Sequence, residues 1–226
     1  MSEFHYWQQL SQPSRLTHNL ESSENGKLKG YIKWVAMIFG ITLFYFIARN
    51  MWGMNTAGLT YLLVDGQYDQ YRYARLISLV GAIFMGIIYF LFYYYLIPAV
   101  LYTFTDNIPY RWIQKVQLYV IPVIIVEKLI TLLVFAAAGF TTPFTFFSLA
   151  PMLSYVYYQE YILYFVNQLT VASVVTVVVQ YAFISQWVTR KKALLVNLIL
   201  IQIICAAIVA VISILPITTW LEGWLG

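Results

Sequence analysis

Five stretches of this chain, residues 31–48, 76–102, 118–139, 161–187 and 193–216, are each long and apolar enough to cross a lipid bilayer as a helix. Inside hydrocarbon no water is present to satisfy backbone N–H and C=O groups, so such a segment has to bond its own backbone. The expected fold class is therefore all-α: a polytopic transmembrane helical bundle with five spans. Composition agrees, because 62% of the 226 residues are hydrophobic and only 10% charged, with mean hydropathy +0.73. A soluble domain averages about 45–50% apolar and about 25% charged residues, so an ordinary soluble fold is excluded. Aromatic residues reach 19%, and such side chains suit membrane interfaces, where one end is apolar and the other wet.

Residues 1–30 are polar and show no apolar core followed by a small-residue cleavage site, so the first span reads as an uncleaved anchor. Tyr6, Leu10, Pro13, Leu16 and Leu20 recur at helical spacing in this cytoplasmic tail, which predicts a short amphipathic helix on the inner membrane surface or in a partner's groove. Residues 31–226 form the expected transmembrane domain. Lys and Arg are retained on the cytoplasmic side. With the amino terminus inside, that side holds nine (Arg15, Lys27, Lys29, Lys33, Arg111, Lys115, Arg190, Lys191 and Lys192) against three outside (Arg49, Arg72 and Arg75). This predicts the amino terminus in the cytoplasm and the carboxyl terminus outside. The net charge of +4 follows from this asymmetry and forms no folded basic domain, so no nucleic-acid partner is expected.

Glu127 and Lys128 interrupt the third span. An ionised side chain near the bilayer centre costs at least about 2.5–3.5 kcal/mol on insertion scales, so such residues face a bundle interior, a wet cavity or a partner. Sequence neighbours point about 100° apart on a helix, so each of the two needs its own partner. Gln168, Thr170, Ser173, Thr176 and Gln180 on the fourth span, with Gln202 on the fifth, are the candidates. Their strip serves either as glue between helices or as a substrate or ion path. A rival register, with a span over residues 129–149 and an interfacial helix over 109–119, would move the pair to the cytoplasmic interface. The midplane register is preferred because Thr141-Thr142-Pro143 reads as a helix end.

Small residues at four-residue spacing, Ala36/Gly40, Ala82/Gly86 and Ala206/Ala210, predict close helix–helix packing. Pro98, Pro122 and Pro216 lie within or at the ends of spans, where neighbours can satisfy the freed backbone groups. Residues 65–75 combine two acids, two arginines and three tyrosines, which suits an interfacial helix start or an extracellular contact. Zinc-protease, nucleophile-elbow and phosphate-loop motifs are missing, and His5 and His18 are too few for a metal site. No enzyme, cofactor or metal is expected.

Five spans after a short cytoplasmic tail, with Trp7-Gln-Gln-Leu-Ser-Gln-Pro-Ser-Arg-Leu16 leading toward the first, resemble the bacterial branch of the Yip family. The resemblance covers the whole chain and implies a small helical membrane protein without enzyme activity. Some bacterial relatives act alongside ABC-type exporters, and eukaryotic ones associate with vesicle-traffic GTPases. The chain lacks the Asp-Leu-Tyr-Gly-Pro type of tail motif of the eukaryotic branch. The expectation is an accessory protein of a bacterial plasma membrane that sits in the lipid bilayer and associates with transporter subunits, another membrane complex or itself. The alternative is a small permease subunit with a polar path.

Overall fold

A computed structural model describes residues 4–22, 28–54, 56–105 and 108–215, and these are helical apart from turns and loops. Among the described residues, four helices are long and apolar enough to cross a membrane: α3 (Tyr31–Trp52), the 36-residue run Tyr68–Thr103, α7 (Tyr110–Ala138) and α11 (Lys191–Ile214). The first three extend beyond the predicted limits. The predicted end of the last span at Pro216, and the carboxyl-terminal tail, lie outside the described residues.

After the one-turn helix α4 (Tyr61–Val64), the run Tyr68–Thr103 consists of α5 (Tyr68–Leu91), a π turn at Phe92–Leu96 and α6 (Ile97–Thr103). Pro98 has no N–H to offer the preceding turn, and the widened turn lies directly before it. Packing of α5 on α3 uses one of the small-residue pairs: Ala82 and Gly86 are buried, and a Cβ on Gly86 would come within 2.9 Å of Leu43 Cδ2. Ala206 and Ala210 are likewise buried on α11. Ala36 and Gly40 on α3 face outward, with nothing within 4 Å of a Cβ at Gly40.

Arg75 explains part of the charged segment before the second helix. Its guanidinium donates to the carbonyls of Asn50 (3.3 Å) and Met51 (3.1 Å) and to Thr56 Oγ1. Those carbonyls end α3, where the helix leaves acceptors unpaired and carries partial negative charge. The arginine is therefore an internal cap, beside Gly53, whose φ of 98° only glycine adopts cheaply.

Two expectations need correction. The fourth span is not one helix: residues 161–187 divide into α9 (Glu160–Gln168) and α10 (Val171–Ile184), broken at Leu169 and Thr170. Both pieces pack against α11, and α10 also packs along α7. The amino-terminal segment, expected as one short amphipathic helix, folds as two, α1 (Tyr6–Ser11) and α2 (Pro13–Glu21), packed against the bundle. Tyr6, Leu16 and Leu20 are buried, and Phe4 N–H donates to the Lys29 carbonyl at 3.0 Å.

The reason is in α7. Pro122 cannot donate to the carbonyl four residues earlier, that of Leu118. The Tyr6 hydroxyl fills the gap, donating to Leu118 O at 3.3 Å. Its ring stacks between Trp34 (4.5 Å) and Tyr119 (4.7 Å), and Tyr119 stacks in turn on Phe183 of α10 (4.7 Å). Four rings thus tie α3, the tail, α7 and α10 into one column.

Candidate functional site

Residues 110–138 form one unbroken helix, so the first turns of α7 are not a separate interfacial helix. Where Glu127 lies follows from the contacts at the two ends of α3. Tyr31 opens α3 under the Lys115 ammonium (5.2 Å to the ring centroid), and Gly53, closing α3, lines one shallow hollow with Gly139, which closes α7. Glu127 is twelve residues from Lys115 and twelve from Gly139, corresponding to Leu43 or Ile41 on α3. It is level with the middle of α3.

At that level α10 begins. Thr170 has extended backbone (φ −101°, ψ 174°), and its hydroxyl accepts from Ser173 N–H at 3.4 Å as a helix N-cap. The first turn of any helix leaves N–H groups unpaired and carries partial positive charge. Here Glu127 Oε2 accepts the Ala172 N–H at 2.6 Å. A carboxylate from one membrane helix therefore seals the start of another. A charge-assisted bond of this kind is about twice as strong as a neutral one.

The connection between α7 and α9 comes back to the same place. Ser148 and Thr170 form an isolated antiparallel bridge, and Val171 N–H donates to Phe147 O at 3.3 Å. Asn167, in the last turn of α9, holds the loop through one oxygen: Oδ1 accepts from Thr145 N–H (2.9 Å) and Ser148 Oγ (3.1 Å). Thr131 Oγ1 of α7 meets Thr145 Oγ1 at 3.2 Å and also donates to the Glu127 carbonyl at 3.0 Å. A short helix, α8 (Ala150–Leu153), completes the connection. Irregular backbone at membrane depth is tolerated where protein covers it, and this loop supplies partners for the broken turn.

Lys128 points elsewhere. Its ammonium lies 5.7 Å from the centroid of the Tyr89 ring on α5, a cation–π arrangement. Of the polar strip, Gln168 belongs to α9 and Gln202 is half-buried on α11, so Thr170, Ser173, Thr176 and Gln180 remain with the helix that faces α7. Ser173, Thr176 and Gln180 are buried, and Ser173 Oγ donates back to Thr170 O at 2.6 Å. Gln180 Nε2 donates to Oε1 of the fully buried Gln117 at 3.4 Å.

Sequence reading did not single out Asn167, Thr145, Ser148, Thr131 or Gln117. One signal was available: Thr170, Ser173, Thr176 and Gln180 keep helical spacing, whereas Gln168 is two residues ahead of the first of them and out of phase. The phase slip is the break itself. Among the described residues no group of three metal-ligating side chains gathers. Comparison with family models, curated proteins and solved structures finds no match to this chain.

Proposed function

We propose that this chain is a non-enzymatic, multi-pass accessory protein that associates through a helix face with a transporter, such as an ABC-type exporter, or with another membrane complex. The proposal places it in a bacterial plasma membrane with the amino terminus inside and the carboxyl terminus outside, as the resemblance to the bacterial Yip branch implies. One observation carries it: the intramembrane polar groups are spent on holding helices together, with Glu127 on the Ala172 N–H and Gln180 on Gln117. Used in this way, these groups join α7 to α10, which supports a structural role for the strip. Of the three small-residue pairs, Ala36–Gly40 alone is turned outward, which is where another helix could approach closely. Isolated in mild detergent from its own membrane, the protein is expected to carry a stoichiometric membrane partner or a second copy. Gly40→Leu is expected to weaken that association by about tenfold, or about 1.4 kcal/mol, with thermal stability unchanged. Recovery of a bare monomer under conditions that preserve known complexes would overturn the proposal.

A second reading is a small permease subunit. The discontinuous α9–α10 favours it, because broken helices place substrate and ion sites near the midplane in many transporters. In that reading Glu127→Gln changes flux in reconstituted vesicles while insertion and folding persist; unaltered flux counts against it.

A further inference from the structure

The hollow between the ends of α3 and α7 adjoins a second one, and Met51, Tyr71 and Arg75 line both. Each is open and has a volume of about 550 Å³, inside the range of about 300–1,000 Å³ usual for small-ligand sites. Their walls differ in character. The first adds Trp52 and the hydroxyl-bearing Thr56, Thr60 and Thr141, whereas the second follows α5 past Arg72, Leu76 and Leu79. Arg72 and Arg75 are three residues apart and share a helix face. Four residues after each arginine comes a leucine of the same wall, Leu76 after Arg72 and Leu79 after Arg75, one turn or about 5.4 Å farther along α5. The helix thus presents cations at its start and hydrocarbon just below them.

The arginines have donors to spare. Arg75 directs three of its five N–H groups at the end of α3, where it offsets the partial negative charge of the helix terminus, and two remain. Arg72 is exposed and has no hydrogen bond or ion pair among the described residues. Asp65 and Asp69, the acids of this segment, line neither hollow. Two guanidinium groups without a carboxylate between them therefore stand where a polar hollow gives way to an apolar one.

We propose that Arg72 and Arg75 bind the phosphate of an anionic phospholipid, with its headgroup in the hollow toward Thr56 and Thr60 and the start of an acyl chain along Leu76 and Leu79. The guanidinium fork matches the oxygens of a phosphate, and basic pockets between membrane helices hold anionic headgroups in the same way. Trp52 and Tyr71 flank the site, as aromatic rings do at headgroup level. A zwitterionic lipid brings its own cation, which the two arginines repel. Because Arg75 also caps α3, the bound phosphate ties a lipid to the junction of α3 and α5. The site belongs to neither functional reading above, and its test reads neither a co-purified protein nor flux.

The full protein, freed of lipid in mild detergent, is titrated with an equimolar mixture of phosphatidylglycerol and phosphatidylcholine carrying the same acyl chains. Native mass spectrometry counts what is bound. The expected result is one phosphatidylglycerol retained about tenfold over phosphatidylcholine, and Arg72→Gln is expected to cut that preference about fivefold. The thermal midpoint of Arg72→Gln is expected to stay unchanged, since the side chain holds nothing in the protein. Arg75→Gln also uncaps α3, so Arg72→Gln carries the test. Lys192→Gln removes one charge at the other end of the bundle, near the contact of Trp187 with Trp112 where α7 starts, and is expected to keep the preference. Equal retention of the two lipids, an unchanged preference in Arg72→Gln, or an equal loss in Lys192→Gln overturns the site. Displacement of the bound phosphatidylglycerol by excess inorganic phosphate shows an anion site in which the acyl chain has no part, and overturns the lipid as its occupant.

Discussion

Tyr6→Ala is expected to detach the amino-terminal segment and lower stability by about 3–5 kcal/mol, the usual cost of truncating a buried aromatic ring. The ring is 6% exposed and stacked on both faces, by Trp34 and Tyr119, so its removal leaves a cavity inside the four-ring column. A second cost is the Leu118 carbonyl, which Pro122 leaves without its helical donor and which Tyr6 serves. Tyr6→Phe isolates that term: with the stack kept and the hydroxyl gone, the expected loss is about 1–3 kcal/mol. Unfolding in detergent, followed by tryptophan fluorescence, separates the two variants. Equal losses would show that the carbonyl finds another donor.

The same contact predicts an alkaline transition. Burial pushes the Tyr6 phenol from 10.0 up to about 12. A folded-state value above the unfolded one means that the contribution is complete below pH 10 and is lost as pH rises through 12. Release of the tail, read as exchange of residues 4–22, is expected in that window and absent at neutral pH. Tyr6→Phe is expected to reduce the pH dependence and leave the part carried by the Tyr119 hydroxyl, which also holds the tail through Gln9 Oε1 at 2.9 Å. Exchange that rises equally in both proteins would place the titrating group elsewhere.

Membrane class and the four long helices are legible because a run of about 20 apolar residues is a one-dimensional signal that tertiary contacts barely alter. The break at Leu169 and Thr170 escapes the same measure. Hydropathy averages over a window, and Leu169, Val171 and Ala172 keep that window apolar across the discontinuity. What breaks the helix is distant in sequence: Phe147 and Ser148 compete for the backbone of Thr170 and Val171, and Glu127 takes the N–H of Ala172. The tail shows a related limit. Spacing of Tyr6, Leu10, Leu16 and Leu20 marks an apolar face but does not say what covers it, and a bilayer surface and a helix bundle read alike. Pro122 held the missing information, because a carbonyl deprived of its donor inside a bundle has to find another. Glu127 and Lys128 were legible as a place that needs partners. Which partners they take depends on how α3, α5 and α10 come together.

Asn167→Leu is expected to free the loop of residues 140–149 and to cost about 1–3 kcal/mol, since the Thr145 N–H loses its acceptor while Ser148 Oγ keeps the Thr145 carbonyl at 2.9 Å. Thr145 N–H and Ser148 Oγ both donate to Asn167 Oδ1, while Nδ2 makes only a longer contact, 3.5 Å, to the Pro143 carbonyl. Leucine conserves the volume but leaves the Thr145 N–H beside an apolar group. Asn167→Asp retains the Oδ1 acceptor and replaces the amide nitrogen by a second oxygen, so it is expected to hold the loop better than leucine despite adding a charge. Amide exchange at residues 144–149 checks the order: slowest in the unmodified protein, faster in Asn167→Asp, fastest in Asn167→Leu. Because Ser148 bridges Thr170, the leucine variant is also expected to raise exchange at Val171, while Glu127 still holds Ala172. A loosened loop with unchanged exchange at Val171 would mean that the cap from α7 alone maintains the break, and that the loop rests on it as a passive cover.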